Sequence, residues 1–448
     1  MGDSKDKMAD DAVIVVDKTV PSEYNLFEKQ AFNFSELSSD TLIVQTMAQI
    51  GEGPFDIVVP PAPSLWWDLA RSQIRITGQF VDDKGDDIAA DGAVGPVNLL
   101  VHSLFSNIEM ELNSQLMTDP NQLYPYRAMF ETLCTYSPDV LRTRAACEMW
   151  SKDTGGKMKE LAGGANKGLN ERMERVNKSK IITLMGRPHV DLFNQEKCIP
   201  PGMGFKLRFI RAKPEFYCIN KARANANDAI PKYKFKITSA ELHLCARQSL
   251  PDLLAGAERA LQQHNAEINF TKIKMKTYNI PSGATMQNIP NLYLDRLPDL
   301  LAFAFVNDAA FGGTYETNPF NFEHMNISKM VLRVNNASHP VHPLSPCFVA
   351  GKEDYTREYM HFIHSLELDI GNKAIDLTPQ EWANGHTIWV FRLAYGPIAP
   401  YTPRPPAPQG TASLEIAFDQ APANNMQMIC YAQYPCKIEI DANRNVIQ

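Results

Sequence analysis

The sequence predicts an all-β protein with two consecutive β-sandwich domains, and three observations support this fold class. Short apolar runs and alternating segments, broken by Pro and Gly, dominate the chain beyond residue 30. The clearest helical pattern lies near the middle of the 448 residues. The β-rich halves on either side of it contain similar segments in the same order.

Alternation of apolar and polar residues identifies the strands. Residues 73–80 alternate without interruption, and residues 106–117 place Ile108, Met110 and Leu112 on one face. Because such strands are short and separated by turn residues, they are typical of a sandwich or barrel. Further segments of the same kind lie at 41–46, 55–59, 205–210, 233–237 and 241–245.

Helical patterns are local. Residues 124–136 and 139–150 are each predicted to form a helix. The clearest helix spans 249–264, where Ser249 can cap the N-terminus and Pro251 lies in the first turn. Its position predicts an inter-domain linker. The expected organisation is an N-terminal arm at 1–30, a first domain at 31–248, a linker helix at 249–265 and a second domain at 266–448.

An internal repeat relates the two halves, faintly in identity but consistently in order. Residues 110–113 (MELN) precede an aromatic segment that starts at Tyr124, and residues 332–335 (LRVN) precede one that starts at Tyr355. Residues 205–214 and 413–422 form a second matched pair. Two unrelated β-domains could also share these patterns. The alternative is two copies of one sandwich, and an eight-stranded jelly roll needs about this much chain.

Three segments lack the pattern of a core element. Residues 151–180 are rich in Gly, Lys, Asn and Met, and this composition predicts an exposed loop at the outer surface or rim. Residues 396–410 hold six prolines and cannot be an interior strand. The arm at 1–30 starts charged and then carries the strand-forming run VIVV at 13–16. It is either a loose tail, an ordinary strand of the first domain or a strand that pairs with a neighbour.

A series of longer segments, spread from about residue 100 to the C-terminus, is more specific than any short motif. The segments are 101–106 (VHSLFS), 124–128 (YPYRA), 131–133 (ETL), 136–139 (YSPD), 186–193 (GRPHVDLF), 210–213 (IRAK), 307–313 (NDAAFGG), 318–322 (NPFNF) and 438–446 (IEIDANRNV). In their sequence and order they resemble the double jelly-roll major capsid proteins of Polinton/Maverick elements and adintoviruses. The first hundred residues, the 151–180 segment and the proline-rich segment carry no such likeness.

The resemblance implies a fold, an assembly and a location. The fold would be two consecutive eight-stranded jelly rolls with short helices in the loops and a linker helix. Three chains would form a homotrimeric, pseudo-hexagonal capsomer that tiles an icosahedral virion shell, because closed symmetry stops open growth. The implied partners are neighbouring capsomers and penton or minor capsid proteins, and assembly would take place inside the host cell.

Charge and cysteine content exclude some function classes. The 44 Lys+Arg against 51 Asp+Glu give a net charge of −7, which provides no basic surface for specific nucleic-acid binding. The eight cysteines are scattered without a Cys-x-x-Cys pair, as expected for reduced thiols. Neither a signal peptide nor a membrane span is expected, since the N-terminus is polar and the chain contains no run of 18 apolar residues.

Candidate sites for chemistry are weak, and the sequence predicts no enzyme, no catalytic residue, no cofactor and no metal ligand. His339 with His342, and His361 with His364, form two His-x-x-His pairs that lack Cys or carboxylate partners at ligand spacing. The Gly-rich run at 163–168 has no Ser or Thr after its Lys, so it does not match a phosphate-binding loop. Gly-x-Ser-x-Gly, which a hydrolase would use, does not occur.

The residues alone also allow two other functions. One is a bicupin-like or glycan-binding pair of sandwiches, for which the adjacent Trp66 and Trp67 could offer a stacking ring. Cupins carry a His-x-His metal motif, and none occurs in the sequence. The other is a domesticated relative of a capsid protein with a role in its host.

Overall fold

A computed structural model describes most of the chain beyond residue 35. The described residues are 36–46, 49–89, 94–158, 160, 165–220, 230–293, 296–369, 373–393 and 409–447. The predicted arm at 1–30 and nearly all of the proline-rich segment lie outside them.

The first half of the chain forms an eight-stranded jelly roll with one small accessory pair. Two four-stranded antiparallel sheets, of order β1-β10-β3-β7 and β2-β8-β5-β6, face each other, and β4 pairs with β9. Alternation positions the core, since Ile74, Ile76 and Phe80 of β3 are all buried. The strands are β1 Glu36–Gln45, β2 Phe55–Val59, β3 Leu65–Asp82, β4 Val94–Pro96, β5 Phe105–Leu112, β6 Gln115–Leu116, β7 Ile182–Gly186, β8 Phe205–Arg211, β9 Cys218–Asn220 and β10 Tyr233–Ser249.

The second half repeats the same topology. Its sheets have the orders β11-β18-β13-β16, with β19 added beside β18, and β12-β17-β14-β15. When the eight sandwich strands of each half are numbered from one, both halves give the orders 1-8-3-6 and 2-7-4-5, so the predicted double jelly roll is confirmed. The strands are β11 Ala266–Ile280, β12 Met286–Tyr293, β13 Leu300–Asn307, β14 Ile327–Val334, β15 Ala337–Leu344, β16 Ile388–Arg392, β17 Ala412–Phe418, β18 Met426–Ile440 and β19 Val446–Ile447.

The sequence repeat coincides with matching hairpins. Asn113 and Ser114 join β5 to β6 with φ of 46° and 73°, and Asn335 and Asn336 join β14 to β15 with φ of 50° and 67°. Two consecutive left-handed residues make the tight turn that suits the twist of a two-residue hairpin, and Asn tolerates this conformation. The same local chemistry therefore closes the equivalent hairpin in each jelly roll.

Short helices occupy the connections, and two details differ from the sequence prediction. The helix predicted at 139–150 is split into α3 and a 3-10 helix, Arg144–Glu148. Ser249 does not cap the central helix, because it ends β10 and its Oγ accepts from Trp66 Nε1 (3.0 Å). The helices are α1 Leu100–Ser103, α2 Tyr124–Thr135, α3 Pro138–Arg142, α4 Lys167–Val176, α5 Pro214–Tyr217, α6 Pro251–Leu261, α7 Asp308–Gly312, α8 Thr356–Ser365 and α9 Pro379–Ala383.

Helix α6 lies where the linker helix was predicted, between the last strand of one jelly roll and the first of the other. Pro251 occupies its first turn as expected. The exact domain limits at 31, 249 and 266 stay predictions. The buried apolar side chains of both halves belong to one continuous core cluster, so the two jelly rolls are packed firmly against each other.

The prediction that 151–180 is an exposed loop without a core is wrong. This segment contains α4, whose side chains Leu169, Arg172 and Val176 are fully buried. Asn166 caps the helix by accepting from Leu169 N (3.3 Å). The polar composition misled because these polar side chains are buried with partners from distant parts of the chain.

A buried polar junction between the two jelly rolls

Helix α2 carries the charged side chains that lie between the two jelly rolls. Most of its residues are buried, which is unusual for a helix containing an Arg and a Glu. Tyr124, Arg127 and Glu131 recur at helical spacing and therefore project from one face. That face contacts the segment that follows β7 and the strands of the second jelly roll.

Arg127 binds two carboxylates. Its Nε donates to Glu131 Oε1 one turn further along α2 (2.8 Å), and its Nη1 lies 2.7 Å from Asp191 Oδ1. Glu131 Oε2 also accepts from His189 Nδ1 (2.5 Å). Burial alone would raise the pKa of Glu131, but Arg127 and His189 outweigh it and hold that pKa well below its usual range. For Asp191 burial dominates, and its pKa is raised.

The network crosses from the first jelly roll to the second. Asp191 Oδ1 accepts from the backbone N–H of Ile273 on β11 (3.3 Å). The Tyr431 hydroxyl of β18 lies 3.5 Å from Glu131 Oε1, and its ring stacks on Phe130 at 5.7 Å between centroids. Charge and ring contacts on α2 thus fix the orientation of one jelly roll relative to the other.

A second buried cluster centres on Asp153, within the segment predicted to be a loop. Its carboxylate accepts from Asn98, Asn166 and Arg172 of the first half and from Asn318 of the second, at 2.8–3.2 Å. Arg172 is fully buried, and its Nε also donates to the Pro96 carbonyl (2.8 Å). Four donors satisfy this carboxylate, which makes its burial tolerable.

Lys152 continues this contact towards the solvent. Its Nζ lies 2.9 Å from Glu381 Oε1 and 3.2 Å from Asp376 Oδ1, both in the second half. Lys152 and Asp153 therefore bind the second jelly roll and do not lie in an exposed loop.

Beside the α2 network, His102, Glu148 and His189 converge. Their ligand atoms all lie within 4.8 Å of one another, and each residue is buried. His102 lies on α1, Glu148 ends the 3-10 helix and His189 follows β7. Burial lowers the pKa of His102. Among the residues that the structure covers, this is the one group of three or more His, Cys, Asp or Glu side chains with that geometry.

The histidine pairs considered in the sequence do not form such a group in the described chain. His339 Nε2 donates to the Arg392 carbonyl (2.8 Å), and His364 Nδ1 lies 2.8 Å from Asp369 Oδ2 at the surface. His361 Nε2 is 3.5 Å from Ser365 Oγ. Within the described residues, the three-residue group forms without any of the four histidines.

Trp66 and Trp67 both have structural partners. Trp67 is buried and donates to the Met203 carbonyl (2.8 Å), while Trp66 is half-buried against Ser249. Neither indole is left free as a stacking platform for a glycan. Of the junction residues, Arg127, Glu131, His189 and Asp191 fall in the segments that carry the family resemblance, but only the fold reveals that they meet. Within the described residues no helix combines the length and apolarity that a membrane span requires.

Comparison with known proteins gives one relative by sequence and several by structure. No family model matches the chain. The uncharacterized protein F54H12.2 of Caenorhabditis elegans is 23% identical over 412 residues, covering 88% of this chain and 93% of that protein.

Solved structures resemble the chain over nearly its whole length. A chain of the Sputnik virophage superposes with a TM-score of 0.63 at 10% identity, covering 98% of this chain and 94% of that one. The Faustovirus major capsid protein gives 0.54 at 8% identity over 92% of both chains. The mavirus major capsid protein gives 0.52 at 10% identity, over 100% of this chain and 96% of that one. At these identities the likeness shows the fold, a double jelly roll in which both halves match.

Proposed function

We propose that this chain is the major capsid protein of an icosahedral DNA virus or virus-like element of the Polinton/Maverick and adintovirus kind. The observation that carries the proposal is the end-to-end likeness of both jelly rolls together to viral capsid proteins. A single sandwich is shared by many unrelated functions, whereas two fused in this arrangement match capsid proteins of several viruses. The proposed role is structural, without catalytic residues.

The buried junction supports a capsomer with six near-equivalent lobes. Contacts that Glu131, Asp153 and Asp191 make with the second half hold the two jelly rolls in one orientation, so that they act as a single rigid unit. Three such units around a three-fold axis give a pseudo-hexagon, and cyclic symmetry closes the ring. A mobile joint would let the two lobes rotate and would spoil contacts with neighbouring capsomers.

Exposed apolar side chains on outer strands provide candidate surfaces for assembly. Large apolar residues that face solvent are expected at interfaces, and outer strands without a neighbour are prone to pair. Exposed residues of this kind on outer strands are Leu37 and Ile43 on β1, Val58 on β2, Leu116 on β6, Met286 on β12 and Val341 on β15. These positions support contacts between chains and between capsomers.

The proposed partners follow from this role. They are two further copies of the chain, neighbouring capsomers, and penton or minor capsid proteins, with assembly inside the host cell. The net charge of −7 disfavours direct coating of nucleic acid. The arm at 1–30, outside the described residues, is proposed to tie the shell to a neighbour or to an internal component.

Mass measurement of the purified full-length chain tests the proposal. Light scattering coupled to size-exclusion chromatography should give three times the mass of one chain, and electron microscopy should reveal hexagonal capsomers or shells. A strictly monomeric chain at micromolar concentration overturns the proposed trimer.

A matched pair of variants tests the outer strand. Ile43→Glu places a charge on β1 and should weaken the trimer while the unfolding midpoint stays unchanged. Leu253→Glu makes the same change at an exposed site on α6 and should leave the trimer intact. If the two variants form trimers equally well, β1 is not part of the trimer interface.

Removal of residues 1–30 tests the arm. A tether predicts that the shortened chain still folds and forms trimers but no longer forms shells. Insoluble protein would make the arm part of the first domain, and normal shells would make it a loose tail.

A domesticated capsid relative is the second candidate, favoured by the similarity to a nematode protein over 93% of that protein's length. Both roles keep the fold and the trimer. The two roles differ in shell formation, because a domesticated protein is expected to form trimers without shells even when the arm is present.

A further inference from the structure

We propose that His102, Glu148 and His189 form a metal site that binds one divalent transition-metal ion, with Zn²⁺ as the best-suited species. Two imidazole nitrogens and one carboxylate oxygen are a ligand set that zinc uses in proteins, with a water in the fourth position. The sequence alone predicts no metal ligand, and the two His-x-x-His pairs are the candidates that it offers. The site depends on the fold alone and not on the capsid role.

The three side chains point their ligand atoms at a common position. His102 Nε2 lies 3.6 Å from Glu148 Oε2, beyond ordinary hydrogen-bond distance, and all three ligand atoms lie within 4.8 Å of one another. A tetrahedral zinc ion holds its ligands at roughly 2.0–2.2 Å, which places neighbouring ligand atoms about 3.3 Å apart. A contraction of up to about 1.5 Å in the longest separation therefore completes the site.

The converging atoms have no other partner. His102 Nε2, His189 Nε2 and both oxygens of Glu148 are buried and make no hydrogen bond. Buried polar atoms are nearly always paired, so four unpaired atoms facing one another indicate a missing occupant. Since His102 and Glu148 are fully buried and His189 is 3% exposed, bulk solvent does not satisfy them.

The opposite edge of each imidazole is held by a hydrogen-bond partner. His189 Nδ1 donates to the Glu131 carboxylate (2.5 Å), which leaves a lone pair on Nε2. His102 Nδ1 lies 2.9 Å from the Tyr124 hydroxyl. Carboxylate–histidine–metal arrangements of this kind orient the ring and increase its basicity.

The backbone leaves room for the carboxylate. A Cβ atom at Gly186 would lie 2.7 Å from Glu148 Cγ and 3.0 Å from Oε1, so β7 needs Gly where it passes this side chain.

Metal content of the full-length chain tests the site. The protein is stripped with a chelator, dialysed against Zn²⁺ and analysed by elemental mass spectrometry, and Co²⁺ is titrated with visible absorption as the readout. One equivalent of metal per chain and the intense absorption of four-coordinate Co²⁺ are expected. Failure of the wild-type chain to retain either ion overturns the proposal and leaves a buried water as the occupant.

Variants assign the ligands. Glu148→Gln and His189→Gln should abolish retention of one equivalent, and Tyr124→Phe should weaken binding roughly 10–100-fold by loosening His102. His364→Gln, at an exposed histidine outside the group, is the control and should bind as the wild type does. Equal metal binding by Glu148→Gln and the wild type would contradict the assignment of Glu148 as a ligand. Where a variant fails to fold, the wild-type measurement still decides whether the site exists.

Discussion

The fifth and sixth strands of each jelly roll are joined by a long connection, and the two connections are stabilised differently. Between β6 and β7 lie α2, α3 and α4, which bury Arg127 and Arg172 against carboxylates. Between β15 and β16 lie α8 and α9, which bury aromatic rings. The first connection reaches into the other jelly roll, whereas the second mainly consolidates its own.

The aromatic cluster of the second half centres on Trp382. Its ring is fully buried, lies 5.4 Å from that of Trp389, and its Nε1 donates to the Ile388 carbonyl (3.1 Å). Four further rings pack around it with centroids 6.3–6.4 Å from its own, those of Phe348, Tyr355, Tyr359 and Phe362. The same sandwich therefore accommodates either kind of connection, and the one that faces the other jelly roll combines charged side chains with aromatic rings such as that of Phe130.

Breaking the charged connection should have the largest effect. Arg172→Met leaves Asp153 buried without its cationic partner and should cost about 3–5 kcal/mol of unfolding free energy. Chemical denaturation measures the loss. Arg142→Met removes an exposed partner of Asp139 instead and should cost about 0–1 kcal/mol. Equal costs would mean that the Asp153 cluster contributes no more than a surface pair.

Weakening the aromatic connection should cost less. Trp382→Phe leaves a cavity and removes the hydrogen bond to Ile388, for about 2 kcal/mol. Trp66→Phe, at the half-buried indole bonded to Ser249, should cost about 1 kcal/mol under the same denaturation. A larger loss of stability for Trp66→Phe than for Trp382→Phe would mean that the cluster around Trp382 repacks and fills the cavity.

Acid should act on the second connection through His361 of α8. Burial, together with the nearby His339, His364 and Arg357, lowers the pKa of His361 to about 4. Because the folded-state pKa lies below the unfolded value of about 6.5, protons bind the unfolded chain preferentially. Stability should therefore be complete above pH 6.5 and fall by about 2–3 kcal/mol between pH 6.5 and 4. His361→Gln should reduce this slope in denaturation curves taken across that range, and an unchanged slope would rule out this histidine.

Substitutions in the two matching hairpins should have the smallest effects on stability, and the two effects should be equal. Asn113→Ala and Asn335→Ala place a β-carbon that disfavours left-handed backbone at each turn, at about 1 kcal/mol. Asn113→Gly and Asn335→Gly keep the backbone conformation and should recover about half of that loss in thermal unfolding. Asn113 also donates to the Arg444 carbonyl, and Asn335 Oδ1 also accepts from Thr411 N. Gly loses these bonds and therefore does not recover the whole loss of stability. A marked difference between the halves would mean that the turns are not equivalent.

The sequence predicted the features that depend on neighbouring residues. Alternation located β3, β5 and β8, and helical spacing located α2 and α6. The matched segments at 110–113 and 332–335 correspond to equivalent hairpins. These predictions succeeded because a period of two or of 3.6 residues can be recognised within a short stretch of sequence.

The buried charges could not be found in this way. Arg172 is satisfied by Pro96, 76 residues earlier, and Asp153 by Asn318, 165 residues later. A polar, Gly-rich composition is ordinarily that of an exposed loop, and only the partners supplied by the fold reverse that expectation. His102, Glu148 and His189 likewise come from three separate elements with no shared spacing.

The charged junction also affects how the chain behaves while it is being synthesised. The first jelly roll leaves the ribosome before the second-half partners of Asp191, Asp153 and Glu131 have been synthesised. Until then these carboxylates keep only their partners within the first half. Hydrated carboxylates there help to keep the half-made chain soluble, because a face made only of apolar side chains such as Phe130 would attract other nascent chains. The joint is therefore fully bonded only when the whole chain is present.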